Sequence, residues 1–270
     1  MVHNEEELLR SLLQINHHLP RTATPLLVVA NLSKRYGRML AVDQLSFKVA
    51  GGEIVGLVGA NGAGKTTVLR CCVGILRPTT GTITINGYDI VQQEQQAKQQ
   101  LAFVPELPSL YPLLTVEEQI EFIVRTYGPL PPDFAERRRA MLQRFDLWSQ
   151  RHKLTTNLSK GMRQKTAVVA AFLHGARVLL LDEPLIGIDP AGIRQLKELV
   201  LEARNEGCAL LVSTHLLDTA ERLCDRILML QGGRKRAEGT LADLRQTLVR
   251  HENATLEEVF MELSAAQEPT

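Results

Sequence analysis

Gly59-Ala60-Asn61-Gly62-Ala63-Gly64-Lys65-Thr66-Thr67 decides the reading of this chain. The stretch fits the pattern G-x-x-x-x-G-K-[ST], in which a glycine-rich loop between a strand and a helix cradles phosphate groups. Ile54-Val55-Gly56-Leu57-Val58 before it has the apolar run of a buried strand, and Thr66-Thr67-Val68-Leu69-Arg70 reads as the start of the helix. Gly59, Gly62 and Gly64 allow backbone conformations that side chains forbid, so successive N–H groups, through Asn61, Ala63 and on to Thr67, can turn toward phosphate oxygens. The positive end of the helix aims at the same place. Lys65 adds a mobile cation for the outer phosphates, and the Thr66 hydroxyl is placed to bind Mg²⁺.

Composition sets the bounds. At 270 residues and 44% hydrophobic, the chain can bury a full core, as one large domain or a core with a subdomain. A net charge of +1 argues against a polyanionic partner, so no nucleic acid is expected. The four cysteines, with Cys71 and Cys72 adjacent, lack the C-x-x-C spacing of zinc or redox sites and read as reduced small hydrophobes in a cytoplasmic protein. A membrane span needs about 20 apolar residues in a row, and runs such as Val178 to Leu181 are far shorter. Any membrane path therefore has to come from another chain.

Residues 1–25 read as an extension. Glu5-Glu6-Glu7 is acidic where a signal peptide is basic, and Leu8, Leu9, Leu12 and Leu13 recur at the spacing of a short amphipathic helix ending before Pro20. That helix would pack on its own domain, stay loosely ordered or dock to a partner. From Leu26 the pattern turns to strands, with Leu45, Phe47 and Val49 alternating up to the Gly51-Gly52 turn, and Thr82 to Ile85 between Gly81 and Asn86-Gly87. After Pro105 it turns helical: Thr115-Val116-Glu117-Glu118 has capping-box spacing, and helix continues to about Leu173 with a break at Pro129, Pro131 and Pro132. Strands return at Val178–Leu181 and Ala209–Val212, around a helix capped by Asp189, opened by Pro190 and closed by Gly207. The expected fold is an α/β phosphate-loop core with a mixed sheet, an antiparallel β subdomain and an inserted helical subdomain at about 106–175. The main domain spans 26–245, and 246–270 forms a tail.

Val178-Leu179-Leu180-Leu181-Asp182-Glu183 is an apolar strand ending in two carboxylates. Beside a phosphate loop, Asp182 would hold Mg²⁺, usually through water, and Glu183 would orient and activate the attacking water. Two acids at a buried strand end are costly without a cation or substrate.

In this order the residues resemble the ATP-binding subunits of ABC transporters. Leu158-Ser159-Lys160-Gly161-Met162 is similar to the family's signature loop, usually written LSGGQ, and Glu183-Pro184 through Ile188-Asp189-Pro190 to the loop after the second acid. His215, after Ser213-Thr214, looks like the switch histidine that senses the γ-phosphate. Tyr36, in Lys34-Arg35-Tyr36-Gly37, looks like the aromatic that stacks on adenine. The resemblance covers about Leu26 to Leu241 and implies an ATPase with ATP and Mg²⁺ as its nucleotide and metal. It also implies a peripheral position on the cytoplasmic face of the membrane, with permease subunits as partners. A second ATP-binding subunit, most simply an identical chain, closes head to tail so that Ser159 and Gly161 meet the ATP held by the other copy.

Three departures from the family pattern stand out. Ala60 replaces a frequent proline, and Lys160 and Met162 replace Gly and Gln of the signature while Ser159 and Gly161 remain. Glu106, in Phe103-Val104-Pro105-Glu106, stands where the family often has a glutamine that touches Mg²⁺; it still offers the metal an oxygen but adds a charge. The Glu106 loop with the segment Leu110 to Val116, and Thr255-Leu256-Glu257-Glu258-Val259-Phe260, resemble the bacterial drug- or polymer-export type. The alternative from another class is a soluble ATP-driven switch acting on a non-membrane partner. Intact Glu183 and His215 speak against a module that binds nucleotide without hydrolysing it.

Overall fold

Alternating apolar residues on either side of Gly37 form two long strands, β1 (Pro25–Tyr36) and β2 (Met39–Ala50), which pair antiparallel. Leu27, Leu32, Leu45 and Val49 are buried along them. This is a computed structural model, and it describes residues 24–248 and 254–265. The helix expected around Leu8, Leu9, Leu12 and Leu13 lies outside the described residues. Two later strands, β4 (Thr80–Ile85) and β5 (Tyr88–Asp89), complete a four-stranded antiparallel sheet in the order β2-β1-β4-β5.

The second sheet is built on continuous apolar runs, which suit strands covered on both faces. Its central strand is β3 (Glu53–Val58), and its order is β10-β9-β3-β8-β7-β6. Strands β6 (Leu101–Val104), β7 (Val178–Asp182), β8 (Ala209–Thr214) and β9 (Arg226–Gln231) run parallel to β3 or to one another, and β10 (Arg234–Gly239) closes one edge antiparallel. Side chains alternate across this sheet. Leu57, Leu180 and Leu211 join a core shared with Leu27 and Phe47 of the antiparallel sheet and with Val68, Leu69, Cys71 and Cys72 of helix α1 (Lys65–Cys72). Burial pushes the Cys71 thiol up to about 11 and raises that of Cys72 as well, so both act as small apolar groups.

Leu179, Leu181 and Leu210 point to the other face, into a core that also contains the helical block. A short helix α2 (Glu94–Gln99) precedes β6, and the block follows as α3 (Val116–Tyr127), α4 (Phe134–Arg144) and α5 (Lys160–Leu173). The capping box is formed: the Glu118 amide donates to Thr115 Oγ1 at 3.3 Å and the Thr115 amide to Glu118 Oε2 at 2.8 Å. Helix α6 (Pro190–Asn205) has Asp189 as its cap, with Oδ1 accepting from the Gly192 amide at 2.8 Å, and Gly207 follows it at φ +90°. Helix α7 (Leu217–Leu223) leads into β9.

The last helices, α8 (Leu241–Leu248) and α9 (Leu256–Ala265), dock rather than trail. Leu244, Leu256 and Val259 pack with Val58, Ile227 and Met229 in a third cluster. Glu221 ties this end down: one oxygen pairs with Arg245 at 3.1 Å and the other accepts from the Leu256 amide at 2.9 Å. Residues read from the sequence as a tail thus include part of the folded body. Among the described residues no helix is long and apolar enough to cross a membrane.

His174, just past α5, has its ring 4.0 Å from that of Tyr127, and burial lowers its pKa from the ordinary 6.5 to about 4. The unfolded chain takes up a proton near pH 6.5 that the folded protein refuses until about pH 4. The stability this neutral ring contributes is therefore full above pH 6.5 and is lost as the pH falls toward 4. Urea midpoints followed across that window should drop more steeply for the wild type than for His174→Gln.

Candidate functional site

In an open α/β sheet, ligands sit beyond the carboxyl ends of parallel strands. Here β3, β6, β7 and β8 end side by side, with Val58 opposite Thr214 and Asp182 opposite Ser213. The Gly59–Gly64 loop leaves β3, Glu106 follows β6, Glu183 follows Asp182 at the end of β7, and His215 follows β8. Asn61 to Thr67, Tyr36, Glu106, Asp182, Glu183 and His215 all line one cleft of about 570 Å³.

Within the loop the glycines have two different reasons. Gly62 (φ +81°) and Gly64 (φ +105°) adopt backbone conformations that side chains disfavour. Gly59 does not. A Cβ there would lie 2.5 Å from the Leu230 carbonyl oxygen and 2.9 Å from the Ala63 side chain, so its place depends on close packing against β9. This corrects the expectation that all three glycines serve backbone conformation. Lys65, only 7% exposed, curls back over the loop and donates to the Gly59 oxygen at 2.7 Å and the Ala60 oxygen at 3.4 Å.

The two acids differ. Asp182 is buried and accepts a hydrogen bond from the Ser213 hydroxyl. Glu183 sits at φ +46°, a strained conformation for a residue with a side chain, and is 7% exposed. Its Oε1 lies 2.9 Å from His215 Nδ1, while its Oε2 is buried and takes no hydrogen bond within the protein. Tyr36 is 41% exposed, with the Lys34 ammonium 5.4 Å from its ring centroid.

Glu106 is exposed on the cleft, and the loop carrying it is pinned where the Pro105 oxygen accepts from Gln164 Nε2 at 3.3 Å. Ser159 and Gly161 are elsewhere. Ser159 caps α5, its hydroxyl accepting from the Met162 amide at 3.3 Å, and neither residue lines the cleft. A Cβ on Gly161 would come 2.5 Å from the Gly187 oxygen, so this glycine has a reason within the chain.

Other residues at the cleft have no functional signature in the sequence. The turn Gly232-Gly233 lines the cleft and braces the loop, with the Gly233 amide donating to the Ala63 oxygen at 3.0 Å. A double glycine after the apolar run Ile227–Leu230 is a turn signal, but nothing local says that the turn meets Ala63. Ser213 does not line the cleft but supports it through Asp182, a role that its sequence position next to Thr214 and His215 does not announce.

A glycine-rich loop on the central strand, with acids closing the adjacent strands and a cleft between them, defines a phosphate-loop nucleotide-binding protein. The ABC transporter family model matches residues 42–186. The chain is 36% identical over 239 residues to the ABC-type transporter ATP-binding protein EcsA of Bacillus subtilis (strain 168), covering 88% of this chain and 96% of that protein. It is 37% identical over 209 residues to the SkfA peptide export ATP-binding protein SkfE of the same organism, covering 77% and 87%. A solved ATP binding subunit of an ABC transporter superposes with a TM-score of 0.85 at 38% identity, covering 88% of this chain and 99% of that one. The chain belongs to the ABC transporter family as an ATP-binding subunit, and its reaction is ATP hydrolysis. The fold expected from the sequence is the fold found.

Proposed function

We propose that this chain works in pairs, two copies closing head to tail on two ATP molecules and driving export through separate membrane subunits at the cytoplasmic face. The observation that carries the catalytic reading is the Glu183 carboxylate, with one oxygen held by His215 and the other buried and unpaired. A carboxylate fixed in this way suits a general base that takes a proton from the attacking water. His215 orients it and senses the γ-phosphate. Lys65 and the loop amides from Gly59 to Thr67 bind the phosphates, and Tyr36 offers its exposed ring to adenine.

The donor set suits Mg²⁺. Thr66, Asp182 and Glu106 provide hard oxygens on one cleft. Among the described residues no cluster of three or more His, Cys, Asp or Glu could hold a metal by itself, so phosphate oxygens and water would complete its shell. When bound, Mg²⁺ neutralises charge on the outer phosphates. Glu106 brings one carboxylate more than a glutamine would.

Ser159 and Gly161 lie off the chain's own cleft, which suits contact with the nucleotide of a second copy. Export is supported by the relative named for peptide export. The test is capture of the tagged full-length chain from detergent-solubilised membranes of its source. Recovery of a multi-span membrane protein is expected; ribosomes or DNA in its place would overturn transport in favour of a soluble switch.

A further inference from the structure

Lys165 lies outside the cleft with only 9% of its side chain exposed, and its Nζ is 2.5 Å from Asp189 Oδ2. Asp189 Oδ1 is already engaged by the Gly192 amide, so the two oxygens serve two tasks. The Lys165 hydrogen bond holds the Asp189 carboxyl below its usual range, with the Gly192 amide adding to the effect. Space for the lysine is provided by Gly192, where a Cβ would approach Lys165 Cε to 2.6 Å. The same two segments press together at a second place. Gly161 faces the Gly187 oxygen, and the Lys160 stem lies over Gly187, which sits at φ +80°.

The segment so gripped is short and leads straight to Glu183. The Ile186 amide donates to the Glu183 backbone carbonyl at 3.2 Å and the Ile188 amide to the Leu185 carbonyl at 3.4 Å, so residues 183–188 form two overlapping tight turns that end one residue before Asp189. A shift of Asp189 has little slack to absorb it before Glu183, whose φ of +46° has to be maintained by its surroundings.

We propose that Lys165 is a positioning residue for ATP hydrolysis, acting through Asp189 to hold the 185–189 loop on helix α5 and so keep Glu183 in its His215-bound conformation. This rests on Glu183 being the general base. Because Ser159 caps α5, the same strut ties the surface offered to a second copy to the chain's own base.

The test measures kcat and KM for ATP on the full-length chain, with kcat taken per chain that binds an ATP analogue, so that unfolded protein does not enter. Lys165→Met should lower kcat about tenfold or more, as misplacement of a catalytic group does, with KM within about twofold. Lys165→Arg should restore most of the loss. Asp189→Asn keeps the helix cap but removes the charge partner, and should be slowed to a similar extent. The double variant should be no slower than either single one, because both remove the same contact. Wild-type kcat in Lys165→Met, or losses that multiply in the double variant, would overturn the proposal. If Lys165→Met does not fold, wild-type kcat in Asp189→Asn overturns it by itself. Should Glu183→Gln retain full turnover, the assignment of the base fails and this inference with it. If Glu183→Gln is inactive and Lys165→Met is not slowed, only the strut fails.

Discussion

Glu183→Gln is expected to cut the turnover number for ATP by about 10²–10⁴-fold, the usual loss on removing a general base, while the affinity for ATP stays close to wild type. The amide keeps the shape of the carboxylate and one carbonyl oxygen toward His215 Nδ1, so the contact now 2.9 Å long survives in a weaker, uncharged form. What disappears is the capacity to accept a proton at the buried, unpaired Oε2. Because binding persists and chemistry stops, the variant should accumulate as an ATP-bound dimer, visible by size exclusion or light scattering with ATP present. Near wild-type turnover would remove Glu183 from the role.

Lys65→Ala should act one step earlier. A charge-assisted hydrogen bond to a phosphate contributes about 1.5–3 kcal/mol, which corresponds to roughly a 10–150-fold weaker Kd for ATP. Titration with a fluorescent ATP analogue reads this directly. Lys65 also donates to the Gly59 and Ala60 oxygens across its own loop, and both bonds are lost in either variant; Lys65→Met, which keeps most of the stem, separates loss of the ammonium group from loss of side-chain packing. Unchanged affinity in both variants would count against the phosphate-binding assignment of the loop.

The parts of this structure that were legible in the sequence are those whose causes are local. A run such as Val178–Leu181 ending in Asp182 and Glu183 announces a doubly covered strand with its acids at the carboxyl end, and the capping box at Thr115 and Glu118 announces a helix start. Glu106, Asp182, Glu183 and His215 gather at one cleft for the same reason, since each leaves the same end of a parallel strand. What stayed hidden depends on residues far apart in the chain. Gly59 answers to a carbonyl on β9, and Lys165 finds Asp189 only because α5 folds back on the loop after β7. The sequence marks Asp189 as a cap, which its first oxygen is, but the partner of its second oxygen has no local signature. The docking of α9 was likewise illegible, because it depends on Glu221 and on the cluster around Val58 and Met229.

The helical block and the parallel sheet share one apolar cluster, in which Ile120, Phe145 and Val168 lie with Leu179, Leu181 and Leu210. A block inserted in sequence is thus not a detachable part in space. Transplanted into a related protein without β6, β7 and β8, it would carry an open hydrophobic face. A chimaera meant to exchange the outer surface of the block has to place its junctions within the sheet, or restrict itself to the solvent side of α3 and α4.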